Sequence, residues 1–401
     1  MILLCAGALA AAEKKVIFPP GTKVIGPYSP GILAGDYLYV SGQGARDAAG
    51  KYPETVELQV RQCFENMKTI VEAAGLTMDH VVYTQLYNPN PNPQSWAEVD
   101  RAWAKYFPKN GPARGVLGVT KLPDDTPMEI NAVAVRNLAD KKVIDGPGKA
   151  ADGTIPAAVM AGGRLYISGM FGVATDGSVP ADGAAQTKIA LDRMGEVLRA
   201  AGMDYRHVVF TNPYMTARLG YEQMNGVYAK YFEFGNTPAR ATIHASSLPY
   251  GTEIEYTAIA VKDLSPRRAV RPKNMPPSPT ASPCVFAGDT FYCSAKSAFI
   301  PGPNSGIYAS TVEEQVRMSL RNLLDGLEEG GLTFADVVAS NVYLDDMADF
   351  TKMNRIYTLF FKSGAPPART TVQHVASAGE RKQNERDAWT ELEQISIIAV
   401  K

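Results

Sequence analysis

The tripeptide Pro112-Ala113-Arg114 recurs as Pro238-Ala239-Arg240 and as Pro367-Ala368-Arg369, at steps of about 126 and 129 residues. Such a step is far longer than a solenoid repeat and matches the length of a whole domain. Another landmark keeps the same step along the chain, reading Val40-Ser41-Gly42, Ile167-Ser168-Gly169 and Cys293-Ser294-Ala295. The sequence therefore predicts three tandem domains in one chain.

The residue pattern of the first repeat predicts the element order β-β-α-β-α-β-β. A Gly35-Asp36 turn joins two short strands into a hairpin, and apolar residues recur at helical spacing over 55–74 and again over 95–107. The last two strands, 114–120 and 128–135, are expected to form a second hairpin. This order predicts an α+β sandwich, a mixed sheet with both helices on one face. Packing of the three sheets against each other is expected to bury the other face, giving an intramolecular pseudo-trimer that is a monomer in solution.

The predicted domain boundaries follow from these landmarks. Residues 17–140, 148–264 and 280–401 form the three repeats, and 265–279 is a Pro-rich linker. Residues 1–16 resemble the apolar part of a signal peptide that lacks its basic start, which predicts an exported protein. The alternative is a frayed apolar N-terminus on a cytoplasmic protein. No other stretch approaches the ~20 apolar residues of a membrane span.

The charge balance argues against nucleic acid and anionic membranes as partners. The chain carries 40 basic and 41 acidic residues, for a net charge of -1, whereas such binders have a strong basic excess. The sequence contains no Cys/His cluster with metal-ligand spacing and no Gly-rich phosphate loop after a strand. A small molecule is therefore the expected partner, with no metal and no cofactor.

The recurring arginines are the strongest candidates for chemistry. Glu129 follows Arg114 by 15 residues, and Glu255 follows Arg240 by the same distance. If the last two strands form a hairpin, each arginine lies beside the glutamate of its own repeat. A guanidinium suits a substrate carboxylate, and a carboxylate can accept a proton from water. The alternative is a structural cross-strand salt bridge of little energetic value.

Four motifs of the first repeat, in order and spacing, resemble the RidA/YjgF family, formerly called L-PSP endoribonucleases. They are Gly26-Pro27-Tyr28-Ser29-Pro30, Val40-Ser41-Gly42-Gln43, Gly111-Pro112-Ala113-Arg114 and Met128-Glu129-Ile130. The resemblance implies chorismate-mutase-like domains with pockets between neighbours. It also implies cofactor-free hydrolysis of 2-enamine and 2-imine carboxylates to 2-oxo acids and ammonia. The alternative function is a non-catalytic protein of the same fold that binds small carboxylates. A ribonuclease is disfavoured by the charge balance and the lack of paired histidines.

The resemblance also implies roles for particular residues. Glu129 and Glu255 would act on water as catalytic residues. The implied substrate-binding residues are Arg114, Arg240, Arg369, Tyr28, Ser41, Gly42, Ser168, Gly169, Asn225 and Asn354.

Departures from the family pattern predict unequal sites. Asp100 stands in repeat 1 where the other repeats have asparagine, and Ile155 and Ala281 replace the tyrosine. Repeat 3 has Ala295 for the glycine and Gln394 for the glutamate. Because glutamine cannot take a proton from water, Arg369, which belongs to that repeat, is expected to contribute least to turnover.

Two further expectations concern cysteine and histidine. Around a Gly288-Asp289 turn, Cys284 and Cys293 face each other as a non-hydrogen-bonded pair, which predicts a disulfide; the alternative is two free core thiols. Cys63 is expected to stay a buried free thiol. His80 and His207 are expected to have a surface or capping role.

Overall fold

The computed structural model describes residues 14–148, 153–273, 275–299, 308–361, 364–375 and 390–401. The signal-peptide prediction rests on a segment of which residues 1–13 lie outside these ranges. Across the described ranges, no helix is both long enough and apolar enough to cross a bilayer.

The first repeat folds as a mixed six-stranded sheet with two helices on one face. The strands are β1 (Lys15–Ile17), β2 (Gly31–Ala34), β3 (Tyr37–Gly44), β4 (Val81–Asn88), β5 (Ala113–Gly118) and β6 (Glu129–Val135), and the helices are α1 (Val56–Ala73) and α2 (Pro93–Tyr106). Their order across the sheet is β1-β2-β3-β6-β4-β5. The Thr55 hydroxyl caps α1, and the buried side chains of this helix recur every three or four residues against the sheet.

The second repeat has the same plan. Its elements are β7 (Lys142–Ile144), β8 (Ala158–Ala161), β9 (Arg164–Phe171), α3 (Gly183–Ala200), β10 (Val208–Met215), α4 (Tyr221–Tyr228), β11 (Ala239–Arg240), β12 (Ile243–His244) and β13 (Ile254–Val261). Here β11 and β12 both pair with β10, so together they take the place that β5 has in the first sheet.

The third repeat repeats the plan again. Its elements are β14 (Arg268–Val270), β15 (Cys284–Ala287), β16 (Thr290–Lys296), α5 (Val312–Gly330), β17 (Val337–Leu344), α6 (Phe350–Tyr357), β18 (Ala368–Gln373) and β19 (Glu393–Val400). The fold is therefore α+β, as predicted, with three tandem domains of one design.

The segments between repeats are more ordered than the linker prediction implied. Residues 268–270, inside the predicted 265–279 linker, form β14 and pair with β15 of the third sheet. β7 likewise lies in the shorter segment between repeats 1 and 2 and pairs with β8. Each such segment carries a basic side chain that donates to backbone carbonyls of the preceding repeat, as Lys141 does to Val81 O at 2.9 Å. These backbone contacts hold the segments in the sheets despite their proline content.

The sheets of the three repeats pack against one another through shared apolar clusters. One apolar cluster contains Tyr87 of the first repeat, Phe210 of the second and Tyr292 of the third. Backbone hydrogen bonds also join different repeats at or just beyond their edge strands, including Gly118 N to Ser247 O at 2.8 Å and Val375 N to His244 O at 3.0 Å. One chain thus supplies the three sheets that bury each other's open faces.

The cysteine pair and the first hairpin are as predicted. Ala34 pairs with Tyr37 across the two-residue turn. Cys284 lies opposite Cys293 with a Cα separation of 4.0 Å, and the two form a disulfide. Cys63 is a buried free thiol.

Candidate active sites between the repeats

A buried serine hydroxyl joins the strand that carries each recurring arginine to the neighbouring repeat. Ser41 Oγ accepts a hydrogen bond from Arg369 N at 2.8 Å and donates to Ser29 O at 2.6 Å. Ser168 and Ser294 make the same two bonds, accepting from Arg114 N and Arg240 N. The hydroxyl predicted to line the pocket therefore has two backbone partners, and it fixes the arginine at the interface.

The strand pairing within a repeat differs from the predicted hairpin. β5 pairs in parallel with β4, placing Arg114 beside Thr84, whereas β6 lies between β3 and β4 and places Glu129 opposite Tyr87. The predicted pairing of Arg114 with Glu129 was therefore wrong. The helix α2 carries the chain over the sheet, so the strand after it runs parallel to β4 at the edge. The glutamate beside each arginine comes from the next repeat.

The Arg369 site lies between repeats 3 and 1. The Arg369 guanidinium carbon is 5.3 Å from the centre of the Tyr28 ring and 4.9 Å from that of Tyr357. The Arg369 guanidinium and the Asn354 amide both lie next to Gly26. A Cβ added at Gly26 would be 3.2 Å from the amide and closer still to the guanidinium. Across the part of the chain that the structure describes, no oxygen accepts a hydrogen bond from this guanidinium, and Asn354 Oδ1 has no partner.

Glu129 completes the Arg369 site. Its carboxyl is buried against Gly42, where an added Cβ would overlap Oε1. Burial raises the pKa of Glu129 to about 8, and the Arg369 charge opposes that rise. The carboxyl therefore carries a proton for part of the time near neutral pH and can both take and return one.

The Arg114 site lies between repeats 1 and 2. Glu255 is fully buried, accepts from Val116 N at 3.1 Å, and has a pKa well above its ordinary range because of burial. The Arg114 guanidinium packs over the Trp103 ring at 4.9 Å and donates to Asp100 Oδ1 at 2.6 Å. Ile155, which replaces the tyrosine of the first repeat, packs against the core of repeat 1.

The Arg240 site lies between repeats 2 and 3. Arg240 donates to Asn225 Oδ1 at 2.7 Å and to the Tyr221 hydroxyl at 2.8 Å. Gln394 lies opposite Tyr343, as Glu129 lies opposite Tyr87, and its amide donates to Glu391. This position of the site thus holds a neutral amide.

The reason given for expecting Arg369 to contribute least to turnover does not hold in this assembly. Arg369 shares its site with Glu129 of repeat 1, and Gln394 belongs to the site of Arg240. The structure also adds aromatic side chains that the sequence reasoning missed, namely Trp103, Tyr221, Tyr228 and Tyr357 around the guanidinium groups. Tyr221 precedes Asn225 by one helical turn, a spacing that places both on one face of α4.

The histidines are confirmed as caps. Thr77 N donates to the His80 ring, and Asp204 N donates to the His207 ring, both at 3.1 Å, at the starts of short helical turns. Asp336 does the same for Thr333 N in repeat 3. Among the described residues, no group of three or more His, Cys, Asp or Glu side chains is arranged to hold a metal ion.

Comparison with known proteins identifies the family. The family model described as endoribonuclease L-PSP matches residues 20–136, 150–262 and 274–383. The chain belongs to this family. A RutC family protein of Pyrococcus horikoshii is 37% identical over 131 residues, covering 31% of this chain and 98% of its own length. The 2-iminobutanoate/2-iminopropanoate deaminase of Rattus norvegicus is 38% identical over 128 residues, covering 31% of this chain and 93% of its own length.

One solved structure aligns with more than one repeat of this chain. A chorismatase aligns with a TM-score of 0.51 and 14% identity, covering 80% of this chain and 93% of its own. This likeness concerns the fold alone.

Proposed function

We propose that the protein hydrolyses 2-imine and 2-enamine carboxylates to 2-oxo acids and ammonia, and that the Arg369 site is its main catalytic centre. The observation that carries this proposal is the pairing of a buried carboxyl of raised pKa with a guanidinium that donates to no oxygen among the described residues. Family relatives named 2-iminobutanoate/2-iminopropanoate deaminase support the reaction class.

The residues of the Arg369 site suit each step of this reaction. Arg369 holds the substrate carboxylate, because its guanidinium donates to no oxygen in the described part of the chain and lies on aromatic rings that exclude water. Ionised Glu129 takes a proton from water while the water oxygen bonds to the imine carbon. The same proton then passes to the nitrogen. As the C–N bond breaks, Glu129 takes the remaining hydroxyl proton, so the carbonyl of the 2-oxo acid forms and ammonia leaves the protonated imine with one water consumed. An enamine first takes a proton at carbon from protonated Glu129, which yields the protonated imine.

Ammonia release from freshly generated 2-aminoacrylate tests the proposal. We expect Arg369→Ala and Glu129→Gln each to lower kcat/KM by about 100-fold, within the range for a general acid–base or carboxylate-binding group. Arg240→Ala is the matched control, because its site has Gln394 in place of glutamate, and it should change kcat/KM less than twofold. Wild-type protein that releases ammonia no faster than buffer would contradict the proposal.

A second function is favoured at the Arg240 site by Gln394 and Ala295. Because the Gln394 amide cannot exchange a proton as the Glu129 carboxyl does, this site is proposed to bind small carboxylates without turnover. Equilibrium binding of pyruvate to Arg369→Ala protein, abolished by the further change Arg240→Ala, would support it. Undiminished binding in the double variant would contradict it.

We further propose that the protein is monomeric. The three sheets already bury each other's open faces, and covalent linkage gives the repeats a high effective concentration for one another. Light scattering should give the mass of one chain, 43.2 kDa. A mass three times larger would contradict this proposal.

A further inference from the structure

The Arg114 site differs from the other two in the partner of its arginine. Asp100 accepts from Arg114 Nη2 at 2.6 Å, and its side chain is half exposed, whereas the arginine is buried. The same helix position carries Asn225 in the second repeat and Asn354 in the third. At this helix position, therefore, only the first repeat carries an acidic side chain beside its carboxylate-binding arginine.

This difference changes the net charge of the site. Asp100 offsets the positive charge of Arg114 through their ion pair, and burial raises the pKa of Glu255, which disfavours a second negative charge there. At the Arg369 site the corresponding Asn354 is neutral, and the guanidinium charge remains available. A plain carboxylate is therefore attracted to Arg369, but at the Arg114 site it approaches an arginine that already has a carboxylate partner.

The Arg114 site nevertheless keeps unused hydrogen-bonding atoms. Arg114 Nη1 and Glu255 Oε2 are both buried and have no partner among the described residues. A buried donor and acceptor without partners are costly, and a bound ligand relieves that cost. Because Asp100 is half exposed, a cationic group of the ligand can reach its carboxylate while an anionic group meets Arg114.

We propose that the Arg114 site binds a zwitterion, a 2-amino acid whose carboxylate contacts Arg114 and whose ammonium contacts Asp100, and that Asp100 excludes plain 2-oxo acids from this site. The proposal rests on carboxylate recognition by the arginines, which the proposed function shares, and it needs no turnover. It makes Asp100 a specificity-determining residue that separates this site from its two counterparts.

Equilibrium titration with L-alanine and pyruvate tests this selectivity, because the two ligands share a carbon skeleton and differ in the ammonium. Wild-type protein should bind alanine at one site, and Arg114→Ala should abolish that binding. Asp100→Asn should weaken alanine at least tenfold and add one pyruvate site. The reciprocal variant Asn354→Asp should weaken pyruvate at the Arg369 site at least tenfold.

Several outcomes would overturn the proposal. If the wild-type protein binds no alanine, or if the Asp100→Asn variant binds alanine as well as the wild type does, Asp100 has only a structural role beside the arginine. Pyruvate bound at Arg114 in wild-type protein shows that Asp100 excludes nothing. Thermal melting checks that Asp100→Asn and Asn354→Asp both fold. If one of them does not fold, the other still tests the proposal. Ammonia release is read separately, so failure of the deaminase proposal leaves these binding results interpretable.

Discussion

At the scale of single residues, the glutamate of the Arg369 site and that of the Arg114 site each depend on a neighbouring glycine that has no side chain. Gly42 leaves the space that the Glu129 carboxyl occupies, and Gly169 does the same for Glu255. In the third repeat both members of the pair differ together, as Ala295 and Gln394. The glycine thus allows the carboxyl to occupy its buried position, because a larger residue would place a side chain there.

Gly42→Ala should therefore impair turnover without removing any functional group. The new methyl displaces the Glu129 carboxyl from its buried position, so we expect kcat/KM for ammonia release to fall at least tenfold. Ala295→Gly at the equivalent position is the matched control and should leave turnover within twofold. Full activity in Gly42→Ala protein would show that the carboxyl position is not critical.

The raised pKa of Glu129 predicts how stability depends on pH. In the unfolded chain the pKa is near 4.5, and in the fold it is about 8. A raised folded pKa gives stability that is complete below the unfolded value and is lost as pH rises through the folded one. Glu129→Gln removes this loss. The unfolding free energy of the variant minus that of the wild type should therefore be larger at pH 9 than at pH 4, by on the order of a few kcal/mol.

Denaturant unfolding of the two proteins at pH 4 and pH 9 provides the measurement. Other titrating groups, including Glu393, are common to both proteins and cancel in the difference. A stability difference that stays constant with pH would show that burial does not perturb Glu129.

At the scale of elements, local register was predictable and sheet order was not. A two-residue turn fixes which residues face each other, so the Cys284–Cys293 pair followed from counting outward from Gly288-Asp289. The helix spacing likewise predicted the buried face of α1. β5 lies at the sheet edge, parallel to β4, because α2 carries the chain over the sheet between these two strands. The 15-residue spacing between Arg114 and Glu129 was taken for a hairpin, and this spacing does not show that the glutamate beside each arginine comes from another repeat, which is why Arg114 was assigned the wrong glutamate.

The disulfide is expected to resist alkylation in the non-reduced protein. Cys284 and Cys293 lie beneath α5, where Gly326 leaves room for the Cys284 sulfur. Mass spectrometry after alkylation without reductant should show both residues unmodified, and after unfolding with reductant both should react. A freely alkylated Cys284 peptide from protein unfolded without reductant would contradict the bridge and weaken the prediction of export.

At the scale of the whole molecule, fusion of the repeats permits the three sites to differ. In a homotrimer every interface has the same residues, so one substitution changes all three sites. In this chain each interface joins a different pair of repeats, and the sites carry Glu129 with Asn354, Glu255 with Asp100, or Gln394 with Asn225. The sequence predicted that the sites are unequal. The structure was needed to determine which residues share a site, because each site draws its arginine and its glutamate or glutamine from different repeats.

The most direct test of this account is a pair of double-mutant cycles on kcat/KM for ammonia release from 2-aminoacrylate. Residues that act in one site give strongly non-additive effects, whereas residues in separate sites do not couple. We predict that Arg369→Ala and Glu129→Gln together cost little more than either alone, and that Arg114→Ala and Glu129→Gln are independent. Coupling between Arg114 and Glu129, with none between Arg369 and Glu129, would contradict the assembly of the active site from repeats 1 and 3.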